Sequence, residues 1–215
     1  NEGERLVVDF LRRALPDTYL LVANVEIAHQ GRPPYDFDLI VLAPHALYVV
    51  EIKQWRGGIR GDDTLWTVGG GARRPNPFPN ANNKARVLKT RLATRQPAAN
   101  LWVQAVVAIA DEQGELDIRG AARPWTRRYT DLPGLLADRG ALPHSSNLRP
   151  LRDPLENDLR AICAGRRPGP RRIGDYEVIE TLLRRDHVTE YLARNMLHAA
   201  GPPARTARRM ASNSN

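Results

Sequence analysis

The chain is poor in cysteine: Cys163 stands alone among 215 residues, which rules out an internal disulfide framework and any cysteine-rich zinc site. That economy suits a reducing cytosol. Long apolar runs are missing too. No window approaches the roughly 18 apolar residues of a membrane span, and Asn1-Glu2-Gly3-Glu4 is acidic where a signal peptide would be basic and then greasy. The expectation is a soluble, unexported, cytoplasmic protein with no membrane partner, and the lack of an initiator Met suggests a trimmed or partial chain. The five histidines, His29, His45, His144, His187 and His198, are scattered without ligand spacing, and no Ser-His-Asp or Cys-His pattern stands out. Zinc chemistry and hydrolysis through a covalent nucleophile have no support. Lysine is scarce as well: Lys53, Lys84 and Lys89 are three of 32 basic residues. In a chain that writes Arg by default, a lysine beside acids is informative, because a desolvated ammonium can lose its proton and a guanidinium cannot.

What is present is globular in composition, 42% apolar and 26% charged, and the length suits one domain plus a remainder. The net charge of +8 invites an anionic partner such as nucleic acid. Its distribution weakens that inference, since residues 1–163 carry only +3 and residues 164–215 carry +5.

Periodicity gives an α/β order. Gly3 to Leu15 reads as a helix closed by Pro16, with Val8, Leu11 and Leu15 at helical spacing and Glu4 one turn ahead of that stripe. Tyr19–His29, Phe37–Ala43 and Ala46–Lys53 read as an antiparallel meander, followed by an edge hairpin around Ile59–Val68 and an irregular loop through Gly69–Gly71 and Pro75–Pro77. Residues 80–95 read as a second helix with Ala81, Ala85, Leu88 and Leu92 on one face and Lys84, Arg91 and Arg95 lying off it. A buried strand over Trp102–Ala110, a short strand at Leu116–Arg119 and helices near Leu132–Asp138 and Pro154–Cys163 complete the pattern, with Trp66, Trp102 and Trp125 assigned to the core. The reading is one domain over 1–163 with a central mixed sheet and a helix on each face. A basic Pro/Gly linker follows at 164–174, a further segment at 175–198, and a tail from 199 to 215 expected to lack structure.

The chemistry concentrates where charges interrupt apolar strands. Asp38 sits within Phe37-Asp38-Leu39-Ile40-Val41-Leu42, and Glu51 and Lys53 end Leu47-Tyr48-Val49-Val50-Glu51-Ile52-Lys53. Strand period two puts Glu51 and Lys53 on one face, and the meander brings Asp38 alongside them. Buried carboxylates repel each other unless a cation lies between them, and hard oxygens suit Mg²⁺ or Mn²⁺. The expected ligands are Asp38, Glu51 and the Ile52 carbonyl, with Glu4 adding a carboxylate if its helix packs across the sheet. A cation there would polarise a phosphodiester and acidify a water that Lys53 positions or deprotonates. Trp55 and Arg56, next along the chain, suit a base and a phosphate, the other reading being an edge-strand Trp that covers the core; Lys84 on the second helix is a candidate phosphate contact or else part of a solvated basic face.

These residues resemble the nuclease-related domain (NERD) family of the PD-(D/E)xK nuclease superfamily. The resemblance runs from Glu2 to Ala110: Gly3-Glu4, Leu15-Pro16, Asn24-Val25, Phe37-Asp38-Leu39-Ile40, Val50-Glu51-Ile52-Lys53-Gln54-Trp55-Arg56-Gly57 and Asn76-Pro77. It implies a restriction-endonuclease-like core, with Asp38, Glu51 and Lys53 as metal and catalytic positions and Glu4 as the helix-borne acid. The implied function is Mg²⁺-dependent hydrolysis of DNA. Many relatives carry Gln where this chain has Asn80, which puts a substrate contact there in doubt. Ile173-Gly174-Asp175-Tyr176-Glu177-Val178-Ile179 resembles the opening strand of a protein kinase, and Tyr191-Leu192-Ala193-Arg194 the strand after its phosphate loop. The loop glycines are missing, so no kinase activity is expected from this chain alone. Together the order resembles the NERD-kinase proteins of bacterial phage defence, such as phage growth limitation. DNA and other phage-defence proteins are the implied partners. The alternative is a non-catalytic DNA-binding or assembly module attached to a Ser/Thr kinase.

Overall fold

The computed structural model describes residues 2–29, 32–96, 100–144 and 147–164, and beyond them 171–173, 176–185, 188–195 and 208–211. The chain divides into two units, residues 2–165 and 166–215.

The first unit is a mixed α/β fold built on two mixed sheets. Helix α1 (Glu2–Ala14) begins with Glu2 and Glu4 and ends with Arg12 and Arg13, which suits the helix dipole at both ends. Strands β1 (Leu20–His29), β2 (Arg32–Leu42) and β3 (Leu47–Lys53) form the expected antiparallel meander. β2 starts earlier than its apolar run, because its first half pairs with β1 alone. Pro34, which has no N–H to give, is tolerated beside that open edge. The main sheet is completed by β7 (Val103–Ile109) and β9 (Thr126–Arg128), both parallel to their neighbours, in the order β1-β2-β3-β7-β9.

A second sheet, in the order β6-β5-β4-β8, joins β4 (Ile59–Gly61), β5 (Leu65–Val68), β6 (Ala72–Pro75) and β8 (Leu116–Ile118). The run around Gly69–Gly71, expected as a loop, is the turn between β5 and β6. These three glycines have positive φ, a conformation that costs a β-carbon dearly. Helix α2 (Phe78–Ala93) starts where Asn76 Oδ1 accepts the Phe78 N–H at 2.8 Å. That bond satisfies one of the helix's unpaired donors. Helices α3 (Leu132–Ala137) and α4 (Arg152–Ala164) follow.

Alternation along β3 and β7 divides the core in two. Leu47, Val49, Val107 and Ile109 pack with Ala81, Ala85, Leu88 and Leu92 of α2. Tyr48, Val50, Ile52, Val106 and Ala108 pack with Val7, Val8 and Leu11 of α1 and with Leu132 and Leu136 of α3. The sheet therefore lies between α2 on one face and α1 with α3 on the other. Trp66 is fully buried, as expected, whereas Trp102 and Trp125 are only half-buried at the margins of the core. Among the described residues no helix is long and apolar enough to cross a membrane.

The second unit is an antiparallel sheet of β10 (Arg171–Ile173), β11 (Tyr176–Arg185), β12 (Val188–Asn195) and β13 (Arg208–Ala211). Here the tail departs from expectation. Arg208–Ala211 is a strand in register with Val188–Tyr191, the open edge of β12 supplying partners that the short basic run cannot advertise by itself. The rest of 199–215 lies outside the described residues, as does most of the 164–174 linker.

Candidate active site

The site forms where β2 and β3 part. Their ladder runs from Leu42↔Leu47 to Leu39↔Val50 and stops. Just past it Asp38 lies near enough to Glu51 to feel its charge, and Glu51 lies on the face that α2 covers. Beyond the last rung, Asp38 Oδ2 accepts the Ile52 N–H at 2.7 Å. The N–H and C=O of one strand residue point to the same neighbour. Lys53 offers its carbonyl to the Ala110 N–H on the far side, at 2.9 Å, so the Ile52 carbonyl faces the gap that β2 has left.

Period two sets Lys53 beside Glu51, and Lys53 Nζ donates to Oε1 at 2.7 Å. The other oxygen is taken from above. Lys84 Nζ, from α2, donates to Glu51 Oε2 at 2.6 Å. Lys84 was expected off the buried face of its helix, and the structure corrects that. It lies three residues after Ala81 and four before Leu88, within the stripe, and its ammonium is buried against Glu51 rather than presented to solvent.

The electrostatics follow from this enclosure. Burial and the neighbouring Glu51 charge push the Asp38 carboxyl up to about 6, against the Ile52 N–H and the two lysines, which pull it down. For Glu51, burial alone would raise the pKa, but Lys53 and Lys84 outweigh it and hold the carboxyl below its usual range. One acid is thus reluctant to ionise beside another that is firmly ionised.

A family comparison bears on these residues directly. A match to the nuclease-related domain spans residues 1–110, half of the chain and the whole of this site. The chain belongs to that family. Over 117 residues it is also 34% identical to the probable kinase PglW of Streptomyces coelicolor, a stretch amounting to 51% of this chain and 7% of that protein. The chain thus spans a small part of the relative's length. No solved structure matches it.

Within the nuclease-related domain, Glu4 falls elsewhere than expected. Its helix packs on the opposite face of the sheet from Glu51. The first turn of α1 reaches the strand ends, where a Cβ on Gly3 would lie 3.0 Å from Gln54 Cβ. Among the described residues no group of three or more His, Cys, Asp or Glu is placed to hold a metal ion, so Glu4 does not join the other two acids in one cluster. What remains is a two-carboxylate donor set with a backbone carbonyl on the same gap. These are hard oxygens, and their number fits Mg²⁺, which takes one or two protein carboxylates and keeps waters and substrate oxygens for the rest.

Trp55 and Arg56 separate in character. Trp55 is half-buried and meets Trp66 edge to face at 5.9 Å, so it covers the core. Arg56 is exposed and lines a cavity of about 700 Å³ with Gly3, Gln54, Asp111 and Tyr129. Sequence reading passed over Asp111, whose Oδ2 accepts the Gly57 N–H at 2.8 Å and anchors the loop that carries both residues. It also passed over the ion-pair role of Lys84, although a lysine within an apolar helical stripe, in so lysine-poor a chain, is a usable signal.

Proposed function

We propose that this nuclease-related domain hydrolyses phosphodiester bonds of DNA with Mg²⁺, or Mn²⁺ in its place. The observation that carries the reading is that Asp38 and Glu51 lie together where the β2–β3 ladder ends, with Lys53 alongside. Asp38, Glu51 and the Ile52 carbonyl would hold the cation. The chemistry a bound Mg²⁺ supplies is polarisation of a phosphate oxygen and a more acidic water. Asp38 keeps its place by the Ile52 N–H, and Glu51 is oriented by Lys84. Lys53, at the open end of β3, positions the attacking water. Arg56 contacts the DNA backbone beside the site. Bacterial phage defence is the setting we propose, on the strength of the NERD-kinase resemblance.

The test is cleavage of DNA by the purified chain with and without Mg²⁺, and by Asp38→Ala. Loss of activity in the variant with an unchanged fold supports the proposal, and equal cleavage by Asp38→Ala rejects it. A second reading draws on two observations: Glu51 is already neutralised by two lysines, and the relative is a probable kinase. On that reading the domain is a DNA-binding or assembly module without catalysis. Calorimetric titration of Mg²⁺ separates the two, since the nuclease requires saturable heat and the module gives none.

A further inference from the structure

Glu51 holds two ammonium groups at once, and they are not equivalent. The distances are alike, 2.6 Å from Lys84 and 2.7 Å from Lys53, but the Lys84 side chain is 8% exposed and the Lys53 side chain 29%. Lys84 projects from the interior of α2 among buried Ala81, Ala85 and Leu88. Lys53 is the last residue of β3, where the chain leaves the sheet. Drawing Lys84 away would strand a buried charge, whereas drawing Lys53 away returns it to water. The charges sharpen the contrast. Asp38 and Glu51 are balanced by Lys53 and Lys84, so a divalent cation approaching Glu51 meets both its oxygens already occupied by like charge. A cation taking one of those oxygens competes with the ammonium on it, and Lys53 has the less costly route out.

We propose that Lys84 is a positioning residue, the fixed counter-charge of Glu51, and that Lys53 is its exchangeable partner, released from Oε1 when a divalent cation binds. The inference rests on the nuclease reading and deepens it. An ammonium held at Glu51 has fewer N–H donors and less reach for a water beside a phosphate, so cation binding and the freeing of Lys53 are coupled. The sharing of one carboxylate by two lysines is then a closed resting state, and the cation shifts the population because it competes for the oxygen that Lys53 holds.

With only Lys53, Lys84 and Lys89 in the chain, amine acylation read by mass spectrometry resolves the two roles. Lys89 is exposed, near the Trp102 ring, and serves as the internal reference. The full chain is labelled with an N-hydroxysuccinimide ester in EDTA and again at a Mg²⁺ concentration that saturates a parallel calorimetric titration. Lys53 labelling should rise about tenfold while Lys84 stays protected and Lys89 is unchanged. Mg²⁺ binding without unmasking of Lys53, or Lys84 rising in step with it, overturns this inference and leaves the nuclease reading standing. Absence of Mg²⁺ binding overturns both. Cleavage kinetics give a second measure: Lys84→Met should lower kcat about tenfold with KM for DNA within about twofold, and Lys84→Arg should recover part of the loss. A change in KM alone would remove the positioning role.

Discussion

Asp38 takes the place of a ladder carbonyl for Ile52: its Oδ2 accepts the Ile52 N–H at 2.7 Å, one step past the last rung between β2 and β3. Through that bond the strands separate without orphaning a buried donor, which would itself be costly. The same bond fixes a carboxylate beside Glu51, so the parting of the strands and the meeting of the acids are one feature.

Asparagine at 38 keeps an oxygen for Ile52 and discards a charge the fold disfavours. Because the folded pKa is raised to about 6, the native state binds the proton more tightly than the unfolded chain, and this group's contribution to stability falls as pH rises from about 4 to 6. Asp38→Asn should therefore be more stable than wild type by about 2 kcal/mol at pH 8, with the gap closing as pH drops through 6. Urea denaturation at pH 8 and pH 5 measures it, and under the nuclease proposal the same variant loses cleavage.

Glu51→Gln has the opposite sign. It leaves two ammonium groups without their carboxylate, one of them buried, and should cost about 3 kcal/mol. Glu51 is held below its ordinary range, so its stabilisation is present above the unfolded value and is lost as pH falls through the lower folded one. The variant and wild type should converge in acid. Adding Lys84→Met should restore part of the loss at neutral pH, and a double variant no better than the single would contradict this account.

Trp55 and Arg56 should separate under substitution. Arg56→Ala should leave thermal stability within about 0.5 kcal/mol and, under the nuclease proposal, lower the salt dependence of DNA binding by about one phosphate contact. Trp55→Ala removes a ring packed on Trp66 and should destabilise by about 2 kcal/mol. Binding isotherms across a salt series, beside melting curves, distinguish the two.

Gly114 is a sensitive point far from the site in sequence. Its φ is +83°, and an added Cβ would lie 2.3 Å from the Gly57 carbonyl carbon, a backbone atom that cannot rotate aside. Gly114→Ala should cost about 2 kcal/mol or more and displace the loop behind Arg56. A melting temperature equal to wild type would show that the loop yields freely.

Much of this was legible in the residues. Acids interrupting Phe37–Leu42 and Leu47–Lys53 are conspicuous because period two admits no other strand reading, and the meander follows from the lengths of the runs. The place of Lys84 was less so. Its helix was recognised, but a lysine scores as polar in any periodicity count, and only Glu51, thirty-three residues earlier, makes its burial tolerable. Arg208–Ala211 escaped for a similar reason, since its strand exists through a partner elsewhere in the chain.

By itself the sequence determined most of the helices and strands of the first unit and the burial of Glu51 within β3, because both follow from the spacing of apolar residues along a local backbone. Which face of the sheet each helix covers was decided in three dimensions. Placing α2 over Glu51 and α1 on the other side gave Glu51 a second lysine and kept Glu4 out of its cluster. Those outcomes depend on packing between elements distant in sequence, which a local pattern such as a lysine in an apolar stripe can signal but not decide.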